Sequence, residues 1–210
     1  MFLTHFKLTS QPFAERIAAE ALWQDDRMRQ GVARLRYLAE QATVGLLTGA
    51  SGVGKSAVLK RFVHELPRPQ HQPVYLHLTR LPSSALLKLV VTQLGEVPRR
   101  GKERLFEQIL EKARQLEGAL VLILDEAHLL DGDALTDIRL LVSSALDDAP
   151  PLKIVLAGQE PLRNTLRQSQ HAALLNRIAV RHHLAPLAKS ETATYIDFQI
   201  KRAGGSEKLF

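Results

Sequence analysis

Residues 49–56, Gly-Ala-Ser-Gly-Val-Gly-Lys-Ser, bring glycines, a lysine and a hydroxyl together at a spacing suited to phosphate chemistry. They match G-x-x-x-x-G-K-[ST], the phosphate-binding P-loop. Gly49, Gly52 and Gly54 let backbone N–H groups approach phosphate oxygens with no Cβ in the way. Lys55 has the reach for β- and γ-phosphates, and the Ser56 hydroxyl can ligate Mg²⁺. The candidate nucleotide-binding set is Gly49, Ala50, Ser51, Gly52, Val53, Gly54, Lys55, Ser56 and Ala57. ATP and Mg²⁺ are the cofactors this pattern asks for.

A second constellation follows at residues 119–128. Ala-Leu-Val-Leu-Ile-Leu runs into Asp125-Glu126-Ala127-His128. A buried strand that delivers an acidic pair to its C-terminal edge is the Walker B pattern. Asp125 would hold Mg²⁺ through water, and Glu126 would polarise an attacking water. Asp-Glu-Ala-His also labels a helicase class, but a helicase needs two such domains and more motifs than 210 residues supply.

The elements that must position these residues read as an alternation of strands and helices. Residues 43–48 form a strand, the P-loop follows, and 56–66 form a helix. Further strands are expected at 73–78, 119–124, 152–157 and 178–184. Helices are expected at 25–41, 83–94 (capped by Ser83 or Ser84), 102–116, 133–146, about 161–175, and 190–203, the last ended by Gly204-Gly205. Residues 1–21 read as an irregular arm. Such an alternation implies a parallel α/β sheet with right-handed crossovers. A complete strand–helix–helix unit separates the P-loop strand from the Walker B strand. The two are therefore not neighbours, and the strand ending at Gly158-Gln159 lies between them. Gln159 at that tip would face the γ-phosphate.

Composition sets the frame. The chain is 45% hydrophobic and 24% charged, an ordinary globular balance. It has no cysteine, which excludes disulfides and thiol catalysis. No apolar run approaches a membrane span, and no secretory signal opens the chain, so a cytoplasmic place with no membrane partner is expected. The eight histidines form no spaced ligand set, and His182-His183 would point to opposite faces of a strand. A formal net charge of +6 favours an anionic partner, nucleic acid first.

Five stretches together resemble the AAA+ ATPases of the group containing ExeA-type proteins and the transposon regulators TniB and TnsC. They are Phe6-Lys7-Leu8-Thr9-Ser10-Gln11-Pro12-Phe13, the P-loop, residues 122–130, residues 155–163 (Val-Leu-Ala-Gly-Gln-Glu-Pro-Leu-Arg), and residues 177–184 (Arg-Ile-Ala-Val-Arg-His-His-Leu). The resemblance implies a three-layer AAA+ sandwich with a five-stranded parallel sheet in the order 5-1-4-3-2. It divides the chain into an N-terminal arm (1–24), an ATPase core (25–187) and the first helix of a helical lid (188–210). It implies ATP hydrolysis, weaker where the lid is short, with catalytic residues Glu126, Gln159 and Arg177. Arg177 holds the place of an arginine that reaches a neighbouring subunit's γ-phosphate, with Arg181 as a second candidate. Homo-oligomers, rings or helical filaments, are implied as well.

In a ring of such domains two loops point to the channel. One carries Thr79 and Arg80; the other carries Arg99, Arg100 and Lys102. Their contacts to double-stranded DNA would be to phosphate, independent of sequence and sensitive to salt. The function expected first is an ATP-dependent regulator of DNA transposition that assembles on duplex DNA with a transposase and a target-selection protein. The alternative is an ExeA-like ATPase for secretion-system assembly at the cell envelope. A small metabolic kinase is disfavoured, because nothing forms an acceptor lid and the Asp-Glu pair suits water activation.

Overall fold

The computed structural model describes residues 2–143 and 151–205. Its centre is one parallel sheet of β1 (Val44–Thr48), β2 (His71–His77), β3 (Ala119–Asp125), β4 (Leu152–Gly158) and β5 (Ile178–His183). The strand order is β2-β3-β4-β1-β5. This is the expected order, with β4 between the P-loop strand and the Walker B strand.

The inner strands β1, β3 and β4 are covered on both faces and are near-continuous apolar runs, while the edge strands β2 and β5 alternate buried and exposed residues. Successive residues still choose opposite sides. Leu47, Ile123 and Val155 join Leu35, Leu38, Val58 and Phe62 of helices α2 (Asp26–Gln41) and α3 (Lys55–Glu65). Leu46, Leu122 and Leu156 face the other way. There they pack with α4 (Ser83–Gln93), α5 (Lys102–Gln115), α6 (Gly132–Leu141), α7 (Glu160–Leu166) and α8 (Ala172–Leu175). The remaining helices are α1 (Phe2–His5) at the start of the arm and α9 (Lys189–Arg202) at the end.

Helix starts follow local chemistry. Asp25 caps α2 by accepting from the Met28 N–H at 2.7 Å, and Asp131 caps α6 by accepting from Ala134 at 2.8 Å. The expected serine cap of α4 is not formed. Pro82 takes the cap position, and the Ser83 hydroxyl donates instead to the buried carboxylate of Asp137. Helix α6 begins one residue earlier than expected, and residues 144–146 of that expected helix lie outside the described residues. The stretch expected as one helix at 161–175 is divided, with Gln168 in extended backbone between α7 and a short 3-10 turn that leads into α8.

The arm ties both ends of the core together. The Thr9 N–H and hydroxyl donate to the Ala203 carbonyl at 2.8 and 3.0 Å, just past α9. Further on, Lys60 and Arg61 of α3 donate to the carbonyls of Ile17 and Ala19, and His64 meets Glu20.

The link between α4 and α5 doubles back. Lys112 pairs with Glu96 at 3.0 Å, and the buried Gln108 side chain holds the Val97 carbonyl at 3.0 Å and the Arg99 N–H at 2.8 Å. The chain thus runs back along α5 before entering it. Lys102 at the start of α5 then lies 2.7 Å from Asp137 Oδ1, while Ser83 at the start of α4 bonds the other oxygen. Both helices therefore begin at one end of the domain.

Candidate nucleotide site

β1 runs through Thr48 into the P-loop, and α3 begins at Lys55. Gly54 stands at the N-cap with φ +103°, and Gly52 has φ +77°. Both lie in the left-handed region that favours glycine, and a Cβ built at either would meet nothing within 4 Å. The open side of the turn is thus free for a ligand. At Gly49 the need is different: a Cβ would stand 2.6 Å from the Leu184 carbonyl oxygen, so the loop base packs directly on the chain after β5.

Lys55 is 5% exposed, and its Nζ donates to the carbonyls of Gly49 at 3.1 Å and Ala50 at 2.8 Å. An ammonium held at the mouth of a loop of free N–H groups, at a helix N-terminus, is an anion site. Ser56 Oγ donates to Asp125 Oδ2 at 2.9 Å, which joins the P-loop to the Walker B strand. Tyr75 on β2 donates to the same oxygen at 2.7 Å. Burial, and then this bond, push the Tyr75 phenol well above its usual range, so it stays a donor.

Asp125 is fully buried, and its Oδ1 accepts from the Glu126 N–H at 2.9 Å. Glu126 adopts φ +59°, uncommon for a residue with a side chain. Its carboxylate lies 3.3 Å from His128 Nδ1, outside hydrogen-bond direction. Gln159 follows Gly158, whose ladder partner is Thr48, so it stands beside the P-loop. It is half-buried, at the N-cap of α7, with no side-chain cap bond.

Among the described residues no three or more His, Asp or Glu side chains converge as a metal cage. A divalent cation here would be held by Ser56, by Asp125 through water, and by the nucleotide's own phosphates, the usual Mg²⁺ arrangement. The residues present fit it. When bound, it would neutralise charge on the phosphoryl oxygens. The protein's own part would be positional: Lys55 and the loop amides would bind phosphate, Asp125 and Ser56 would orient the cation, and Glu126 would accept a proton from water.

A cavity of about 160 Å³ adjoins the loop. Val53 and Ala57 line it together with Leu22, Trp23, Leu187 and Tyr195. The Trp23 and Tyr195 rings stand 5.3 Å apart. Flat aromatic walls beside a phosphate loop can hold a nucleotide base. Trp23 and Tyr195 were not foreseen, because they come from opposite ends of the chain and no sequence signal pairs them.

The remaining expected residues fall elsewhere. Arg177 is exposed and donates only to the Ala173 carbonyl at 3.1 Å among the bonds described. The next residue, Ile178, pairs with Val44 at the start of β1. Arg177 is therefore a full strand length, roughly 13 Å at 3.3 Å per residue, from the level of its own P-loop. Arg181 donates to the Leu175 carbonyl at 3.0 Å. Thr79, Arg80, Arg99 and Arg100 are exposed, and Lys102 is engaged with Asp137.

The fold and the site define a P-loop nucleotide-binding domain of the three-layer α/β class, with β4 between the P-loop and Walker B strands. The family profile described as "AAA domain" matches residues 37–166, and the chain belongs to that family. It is 30% identical over its full length to "General secretion pathway protein A" of Aeromonas hydrophila, and spans 39% of that relative's length. Among solved structures, it is similar in fold to Cdc6p from Pyrobaculum aerophilum, with TM-score 0.73 and 18% identity over 94% of this chain and 55% of that one. The Aeropyrum pernix ORC1 protein in complex with DNA gives TM-score 0.66 and 16% identity over 92% of this chain and 50% of that one.

Proposed function

We propose that the chain is an ATP-dependent regulator of DNA transposition that assembles as an oligomer on duplex DNA and recruits or activates a transposase with a target-selection protein. One observation carries the DNA reading. The Ser83–Asp137–Lys102 link brings the start of α5 beside the start of α4. The exposed Arg99 and Arg100 lie just before one start, and the exposed Arg80 just before the other. Two basic loops on one end of each copy suit a phosphate backbone threaded through a ring or filament. The excess of basic residues and the fold likeness to the ORC1 protein in complex with DNA support the same reading. A second reading has its own support: the 30% identity to General secretion pathway protein A favours an ATPase acting in secretion assembly.

Duplex binding across a salt series tests the choice. The variant to compare carries Arg80→Ala, Arg99→Ala and Arg100→Ala. Lys102 stays, because removing it would leave a buried carboxylate unpaired. Each lost phosphate contact should flatten the log–log salt slope by about 0.9, alike for all sequences. An unchanged slope removes these loops from the interface. A wild-type chain that binds no duplex with ATP present favours the secretion reading.

A further inference from the structure

We propose that Tyr75 is a positioning residue for the divalent cation of the ATP site, acting through the Asp125 carboxylate. The inference rests on the reading of Ser56 and Asp125 as the cation-holding pair. An ionised carboxylate offers about four acceptor directions. Three are filled at Asp125: Tyr75 and Ser56 hydroxyls donate to Oδ2, and the Glu126 N–H donates to Oδ1. The remaining direction, on Oδ1, is the one open to a cation-bound water.

Tyr75 reaches Asp125 through the sheet register. Tyr75 pairs with Ile123, and His77 pairs with Asp125. Period-two alternation puts Tyr75, Ile123 and Asp125 on one face, and a long aromatic spans the diagonal between neighbouring strands. Tyr75 is 43% exposed, so it is not there to fill the core. Its hydroxyl is the group with a task. Without it, Ser56 alone restrains Oδ2, and the same hydroxyl must also present its lone pairs to the cation. The carboxylate is then free to turn its open acceptor direction away from the phosphates.

The test is Tyr75→Phe in the intact chain, which removes one oxygen and leaves the ring. ATP binding is followed by calorimetry over a Mg²⁺ series and in excess EDTA. The Mg²⁺ concentration for half-maximal effect should rise about 10-fold, the lower end for outer residues of metal sites. ATP affinity in EDTA should match the wild type. An unchanged Mg²⁺ midpoint overturns the proposal. Equal weakening with and without Mg²⁺ also overturns it, because it marks a merely structural role. A wild-type chain whose ATP affinity gains nothing from Mg²⁺ would overturn the reading of Ser56 and Asp125 themselves.

Discussion

Lys55 and Asp125 are two nearly inaccessible charged groups, 5% and 0% exposed, at one junction of loop and strand. Charge persists in such places only when paired or hydrogen-bonded. Lys55 is held by loop carbonyls, and Asp125 by two hydroxyls and an amide. Two substitutions separate binding from chemistry. Lys55→Ala should abolish tight ATP binding by calorimetry, since the cation and its phosphate contacts go together. Glu126→Gln should bind ATP as the wild type does and turn over about 10²–10⁴-fold more slowly, the usual cost of losing a general base. Normal turnover in Glu126→Gln would move water activation to another group. Lys55, Ser56 and Asp125 were legible in the sequence because the motif fixes their spacing and a strand must precede each turn. Tyr75, Trp23 and Tyr195 were not. Each meets the site through strand register or chain crossing, and neither is written in local spacing.

At the scale of elements, apolar runs and glycine turns gave every strand of the sheet to within a residue or two: the inner strands read as continuous runs because both faces are buried, and the edge strands β2 and β5 as mixed runs. The α4 cap was misread because Ser83 finds a stronger acceptor in Asp137, a tertiary contact. The histidine pair divides between faces as alternation requires. His183 lies 3.2 Å from the Thr48 hydroxyl, while His182 packs toward Gly31 and Val58 beneath α2 and α3. Burial first, and then Arg34, lower the His182 pKa below its ordinary 6.5. The folded chain therefore prefers the neutral ring. As pH falls through 6.5, the unfolded chain takes the proton first, and stability is lost until the folded ring also titrates. Thermal melts between about pH 8 and 5 should show a steeper acid-side fall in the wild type than in His182→Gln. Equal slopes would mean that the ring titrates alike in both states.

At the scale of the whole molecule, the proposed function asks for a site completed by a second copy. Arg177 stands at the end of the sheet away from its own P-loop, and its guanidinium meets no acid among the described residues. If it stabilises charge on a γ-phosphate, the phosphate belongs to another copy. That is the central claim: an ATP site shared between subunits, assembled on DNA. The most direct measurement is steady-state ATP hydrolysis on duplex DNA by Lys55→Ala, by Arg177→Ala, and by their equal mixture, with each variant shown to fold. Each alone should be nearly inactive. The mixture should recover a substantial part of wild-type turnover, because some interfaces then pair an intact P-loop with an intact arginine. A mixture as inactive as its components, beside an active wild type, would contradict the shared site.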